Sequence, residues 1–115
     1  MSIISGDHLR TVLFVCTANL QRSPTAEKLF QGWKNNWEAK SAGIIPEPGG
    51  TPLSQALIDW AEFVIVMEPV HSQYIRENFQ CGSDKIKVLN IADRYFREDP
   101  ELIRELRRKV APLLE

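Results

Sequence analysis

The sequence predicts an α/β fold, a parallel β-sheet covered by helices on both faces, and three observations predict it. Strand-like and helix-like segments alternate along the chain. The runs "TVLFVC" (11–16) and "EFVIVM" (62–67) are apolar on consecutive positions, as strands buried on both faces are. Ser-Pro, Thr-Pro and Asp-Pro pairs (23–24, 51–52 and 99–100) stand where helices would begin. Strands alternating with helices form crossover units, and such units stack into a sheet between helical layers.

The first strand is 11–16, and its β-branched and aromatic residues suit a central position. Ser23 is the expected N-cap of the first helix and Pro24 its first residue, with Ala26, Leu29, Phe30 and Trp33 on one face at helical spacing. "WEAKSAG" (37–43) reads as the second strand, and "IIPEPGG" is too rich in Pro and Gly for anything but a loop. The next helix is expected to start with Thr51 as N-cap and Pro52 in its first turn, burying Leu53, Ala56, Leu57 and Trp60. After the third strand (62–67), "EPVHSQYIRENF" reads as a helix and "KIKVLNIA" (85–92) as the fourth strand. The last helix has Asp99 as N-cap, Pro100 behind it, and a stripe of Leu102, Ile103, Leu106 and Val110.

With 115 residues, 43% of them hydrophobic and 25% charged, the chain has the size of one domain, expected over 1–115 with 1–10 as a loosely ordered N-terminal extension. A net charge of −1 provides no field that would draw in nucleic acid or an anionic membrane, and the basic cluster "RELRRK" suits a helix C-terminus. The N-terminus has no signal-peptide pattern, and the apolar runs are too short to span a bilayer. Cys16 and Cys81 form no C-x-x-C pair and fit no zinc spacing, so no metal, no cofactor and a reducing cytoplasm are expected.

In open parallel sheets, ligands bind at the carboxyl ends of the strands. There the first strand runs into "CTANLQRS". A loop entering a helix N-terminus turns several N–H groups inward, and the helix adds about half a positive charge, so Thr17, Ala18, Asn19, Leu20, Gln21 and Arg22 would cradle an anion such as phosphate or sulfate. The same field favours the Cys16 thiolate. Arg22 has a planar fork that can hold two oxygens of a phosphoryl group while the sulfur attacks phosphorus in line. A buried small hydrophobe is the plainer reading of Cys16, a turn residue that of Asn19 and a helix cap that of Ser23. A phosphomonoester leaving group needs a proton. Asp93, directly after the fourth strand, and Asp99 compete for that role, and Asp99 is the better placed cap. Tyr95 and Phe96 either wall a slot for an aromatic substrate or pack on the sheet edge.

On these residues the chain resembles the low-molecular-weight protein tyrosine phosphatase family. "VLFVCTANLQRSPTAE" looks like that family's active-site strand, loop and helix. "SAG" (41–43) and "VME" (66–68) match its second and third strand ends, and "ADRY" (92–95) lies where it carries an Asp-Pro-Tyr motif. The resemblance implies a phosphatase-I-like fold of three layers with strand order 2-1-3-4. It further implies Cys16 as nucleophile, Arg22 as phosphate clamp, Asp93 as general acid and then base, and Asn19 and Ser23 as loop supports, with Ser23 donating to the thiolate. The implied activity is hydrolysis of phosphotyrosine in proteins, or of small aryl phosphates, through a phosphocysteine. Gln21 stands where many members have a second cysteine, Arg94 replaces the proline, and the stretch between Gly43 and Phe63 is short, as in a bacterial branch of the family. Two alternatives remain: an arsenate reductase of similar fold, which needs a thiol relay that only Cys81 could serve, and a phosphate- or phosphotyrosine-binding module without turnover.

Overall fold

The strand β1 (Arg10–Cys16) runs through the centre of the molecule, and Val12 to Val15 have no exposed surface. It pairs in parallel with β2 (Trp37–Gly43) on one side and β3 (Phe63–Val66) on the other, and β3 pairs with β4 (Ile86–Val88), giving the order β2-β1-β3-β4. This computed structural model describes residues 9–114. Most of the loosely ordered extension expected over 1–10 therefore lies outside the described residues, while Arg10 already belongs to β1.

Alternation along the strands builds two cores. Val12, Phe14 and Cys16 pack with Ala26 and Phe30 of α1 (Arg22–Phe30) and with Leu102, Leu106 and Val110 of α4 (Pro100–Val110). Leu13 and Val15 face the other way, toward Ile58 of α2 (Gln55–Trp60) and Ile75 of α3 (Pro69–Asn78). Each fully buried side chain of this kind contributes about 1.5–3 kcal/mol, so both faces of β1 anchor the strand whose end carries Cys16. Among the described residues no helix is long and apolar enough to cross a membrane.

The helix starts differ from expectation at two places, both because tertiary partners outcompete local capping. Helix α1 begins at Arg22, with Gln21 in the cap position and without a side-chain cap bond. Ser23 lies inside its first turn, and its hydroxyl sits against the Cys16 sulfur. Pro24 is tolerated there because the first N–H groups of a helix have no partner within it. The helix ends at Phe30, and Gly32, with a φ of 77°, turns the chain beyond it, so Trp33 lies outside α1 yet packs edge-on against Phe30.

Helix α2 begins at Gln55 with Ser54 as its cap, the Leu57 N–H donating to the Ser54 hydroxyl at 3.2 Å. Residues 51–53 are occupied elsewhere: Pro52 bridges Gly43, and the Gly43 N–H and carbonyl bond to Thr51 and Leu53. The buried residue of α2 is Ile58 rather than Ala56, which is exposed. Strand β4 is shorter than 85–92, because Asn90 adopts a φ of 61°. Leu89 and Ile91 nonetheless continue toward β3 through N–H bonds to the carbonyls of Val66 and Met67. Asp99 caps α4 as expected, accepting from the Glu101 N–H at 2.8 Å.

Candidate active site

At the carboxyl end of β1 the loop 17–21 folds back over β2, and Gly43 makes room for it. A Cβ on Gly43 would stand 2.7 Å from the Thr17 carbonyl oxygen and 2.8 Å from the Asn19 nitrogen, so only glycine fits. Five carbonyls from Cys16 to Gln21 are committed to partners outside the loop's centre. Those of Cys16, Thr17 and Ala18 accept from the N–H groups of Ile44, Ile45 and Glu47, that of Leu20 from Arg97 Nε, and that of Gln21 from Thr25. Carbonyl oxygens pointed inward would repel an anion, so their outward commitment favours one.

Asn19 shapes the turn with a φ of 55°, which asparagine tolerates better than most residues, and its amide is fully used. Its Nδ2 donates to Ser23 Oγ at 2.9 Å and to Ser41 Oγ at 3.0 Å, and its Oδ1 accepts from the Thr51 N–H at 2.7 Å. Ser41 in turn donates to Glu27. Ser23 Oγ, which accepts from Asn19, stands 2.9 Å from the Cys16 sulfur, where either atom can donate, and 3.4 Å from the Ala42 carbonyl, to which it can also donate. Asn19 thus combines the turn with bonds to three neighbouring groups, while Ser23 contacts the sulfur and caps no helix.

Arg22 is 1% exposed, and its Nη1 donates to Glu68 Oε2 at 2.5 Å and to the Ile91 carbonyl at 2.7 Å. A buried guanidinium needs such partners, and they aim it across the mouth of the loop. Its Nε lies 3.7 Å from Asp93 Oδ1, whose side chain is 62% exposed. Cys16, Ala18, Leu20, Gln21, Arg22 and Asp93 line one cavity of about 160 Å³. The structure therefore brings Asp93 to the cysteine and arginine, and leaves Asp99 as the cap of α4.

Tyr95 and Phe96 are not among the cavity walls. Tyr95 packs against the core that holds Cys16, with Arg94 bonded to its hydroxyl at 2.9 Å, and Phe96 stands 77% exposed. Cys81 belongs to the core on the opposite face from Cys16, and both thiols are free.

Sequence reasoning missed Glu68, His71, Ser41 and Glu27. Ser41, Glu68 and Glu27 lie in the matches "SAG", "VME" and "VLFVCTANLQRSPTAE", which gave a signal without a role; His71 gave none. His71 is fully buried. Its Nδ1 accepts from the Glu68 N–H at 3.0 Å, so the proton sits on Nε2, which faces Thr17 Oγ1 at 2.9 Å. Burial, and after it the Arg22 charge, push its pKa from the ordinary 6.5 down to about 4, against a smaller opposing pull from Glu68 and Asp93.

Between about pH 6.5 and pH 4 the unfolded chain binds a proton at this ring that the folded chain excludes. Stability is thus complete above about 6.5 and declines as pH falls to about 4, by about 3 kcal/mol in all. Urea unfolding at pH 7.0 and 4.5 is expected to show this loss in the native chain and a smaller one in His71→Asn; equal losses would contradict it.

A profile of the "Low molecular weight phosphotyrosine protein phosphatase" family matches residues 11–58, which run from β1 through the loop, α1 and β2 into α2. The protein-arginine-phosphatase of Bacillus subtilis (strain 168) is 30% identical to this chain, over 68% of this chain and 69% of that protein. The crystal structure of the low molecular weight protein tyrosine phosphatase of T. tengcongensis superposes with a TM-score of 0.72 at 25% identity, covering 91% of this chain and 97% of that one. A YwlE arginine phosphatase, a cysteine-to-serine mutant with a phosphorylated active-site serine, gives 0.73 at 25% identity, covering 90% and 95%. Fold, loop and relatives agree: the chain belongs to the low-molecular-weight phosphotyrosine protein phosphatase family and is a cysteine-based phosphatase.

Proposed function

We propose that this chain dephosphorylates protein phosphotyrosine in a reducing cytoplasm, with Cys16 as nucleophile, Arg22 as phosphate clamp and Asp93 as proton donor. The observation that carries this reading is the convergence of these three side chains on one small cavity at the strand ends. The loop N–H groups and Arg22 hold the equatorial oxygens of the phosphoryl group. The Cys16 thiolate attacks phosphorus, the S–P bond forms as the P–O bond to the phenol breaks, and Asp93 gives its proton to the departing oxygen. Water then attacks phosphorus while Asp93 takes its proton; the S–P bond breaks, inorganic phosphate leaves, and the thiolate is restored beside the Ser23 hydroxyl. The phosphorylated active-site serine of the mutant relative supports a covalent intermediate at this position.

Ala18 and Leu20 offer apolar carbon along the cavity, which suits a phenyl ring. The second reading, phosphoarginine as substrate, is favoured by the protein-arginine-phosphatase relatives. Arsenate reduction is disfavoured, because Cys81 lies in the other core and cannot complete a thiol relay with Cys16.

The test is turnover on matched phosphotyrosine and phosphoarginine peptides, with the phosphoenzyme trapped by acid-free quenching and detected by mass spectrometry. Phosphotyrosine is expected to give the higher kcat/KM, with phosphate on Cys16. A preference for phosphoarginine of tenfold or more reassigns the substrate; no phosphoenzyme and no turnover with either sinks the mechanism.

A further inference from the structure

We propose that His71 is a positioning residue for the anion loop, tying the residue next to the nucleophile to the start of α3, where Glu68 holds Arg22. This rests on the proposed phosphocysteine mechanism at Cys16.

The ring closes a circuit around the site. Thr17 follows Cys16 in the chain, and its hydroxyl lies 2.9 Å from His71 Nε2. His71 Nδ1 accepts from the backbone N–H of Glu68, and the Glu68 carboxylate accepts from Arg22 Nη1 at 2.5 Å. The nucleophile end and the arginine end of the loop are therefore linked twice, once by the chain from 17 to 21 and once through Thr17, His71 and Glu68.

An apolar side chain would fill this fully buried position without the desolvation that a polar ring carries. What a leucine could not do is fix two directions at once, accepting on one side and donating on the other. Both directions are set by groups outside the catalytic trio, so the ring arrives pre-oriented. Held neutral by burial, it keeps the lone pair that the Glu68 N–H requires. Anion cradles work through placement: donors must already stand where charge develops in the transition state, and a loop loosened by a fraction of an ångström loses rate before it loses substrate binding.

The experiment is a double-mutant cycle on His71→Asn, Thr17→Val and the pair. Asparagine keeps an acceptor near the Nδ1 position for the Glu68 N–H but is too short to reach Thr17. Two quantities are read: kcat and KM for an aryl phosphate, and the affinity for vanadate by calorimetry, vanadate imitating the five-coordinate phosphorus. Each single variant is expected to lower kcat about tenfold, the size of one lost hydrogen bond, with KM within about twofold. Vanadate affinity is expected to fall by a similar factor, and the double variant to be no worse than either single one. A His71 that serves only stability would lower the melting temperature and leave kcat and vanadate affinity within twofold of the native values. That result, or losses that multiply in the double variant, overturns the proposal. If His71→Asn does not fold, Thr17→Val alone decides, since unchanged kcat and vanadate affinity there remove the contact from the catalytic geometry. The vanadate arm needs no turnover, so a native chain that hydrolyses no aryl phosphate refutes the mechanism while leaving the His71 test standing.

Discussion

Replacing Cys16 by serine is expected to lower aryl phosphate hydrolysis by about 10⁵-fold or more while leaving inorganic phosphate binding in place. Loss of a nucleophile removes the bond-forming step itself, and single deletions of this kind reach that range. The cradle does not depend on the sulfur. Its carbonyls are held by the segment 44–47, by Arg97 and by α1, its turn by Asn19, and Arg22 by Glu68 and the Ile91 carbonyl. A serine hydroxyl at this position still finds Ser23 as neighbour. Steady-state rates and phosphate titration by calorimetry separate the two effects. A residual rate within tenfold of the native enzyme would remove Cys16 from the nucleophile's role, and loss of phosphate binding would show that the loop needs the thiolate to keep its shape.

The second large effect belongs to Asp93. If it protonates the departing oxygen, Asp93→Asn is expected to slow phosphotyrosine hydrolysis by about 10²- to 10⁴-fold, the range of a positioned acid. The deficit is expected to shrink with a nitrophenyl phosphate, because a nitrophenolate leaves without help and a phenol of pKa about 10 does not. This holds while phosphoryl transfer to Cys16 is the slow step. Asp93 lines the cavity beside Arg22, and the exposure of its side chain gives it access to water for the second half-reaction. Asp99→Asn is the control, since asparagine also caps helices and Asp99 is engaged with the Glu101 N–H. Slow Asp99→Asn and fast Asp93→Asn would reverse the two assignments.

Where residues act through runs and short spacings, the sequence was readable. "TVLFVC" showed a strand without a polar face, and β1 is that strand. Asp99 and Pro100 marked the start of α4, because the Asp99 carboxylate stays with the local Glu101 N–H. The same chemistry misled at Ser23 and Thr51. Capping rules assume that a hydroxyl or a backbone segment has nothing better to bind, and here the Ser23 hydroxyl goes to Cys16 while residues 51–53 run along Gly43. The site followed the same division. Cys16 and Arg22 lie six residues apart on one loop, and Asp93 follows a strand, so position in the chain suggested them. Glu68 meets Arg22 across 46 residues and His71 meets Thr17 across 54, and no spacing encodes either contact. Gly43 was visible as a letter in "SAG", but its reason is the loop backbone of residues 17–19, which occupies the space a Cβ would need.

Among the described residues every pairing in the sheet is parallel, so its neighbouring strands do not zip together through hairpins. The central strand must wait for a crossover on each side, first to Trp37–Gly43 and then to Phe63–Val66, before its apolar faces are covered. Such topologies close long loops early in folding and are slow compared with helical bundles of equal size. Until closure, "VLFVC" is an uncovered apolar segment and a hazard for association between chains. The loop that follows it draws its holding bonds from residues near 44, 51, 71 and 97, contributed by the rest of the chain. Its geometry therefore depends on distant segments having packed, and a chain halted partway carries Cys16 without a cradle.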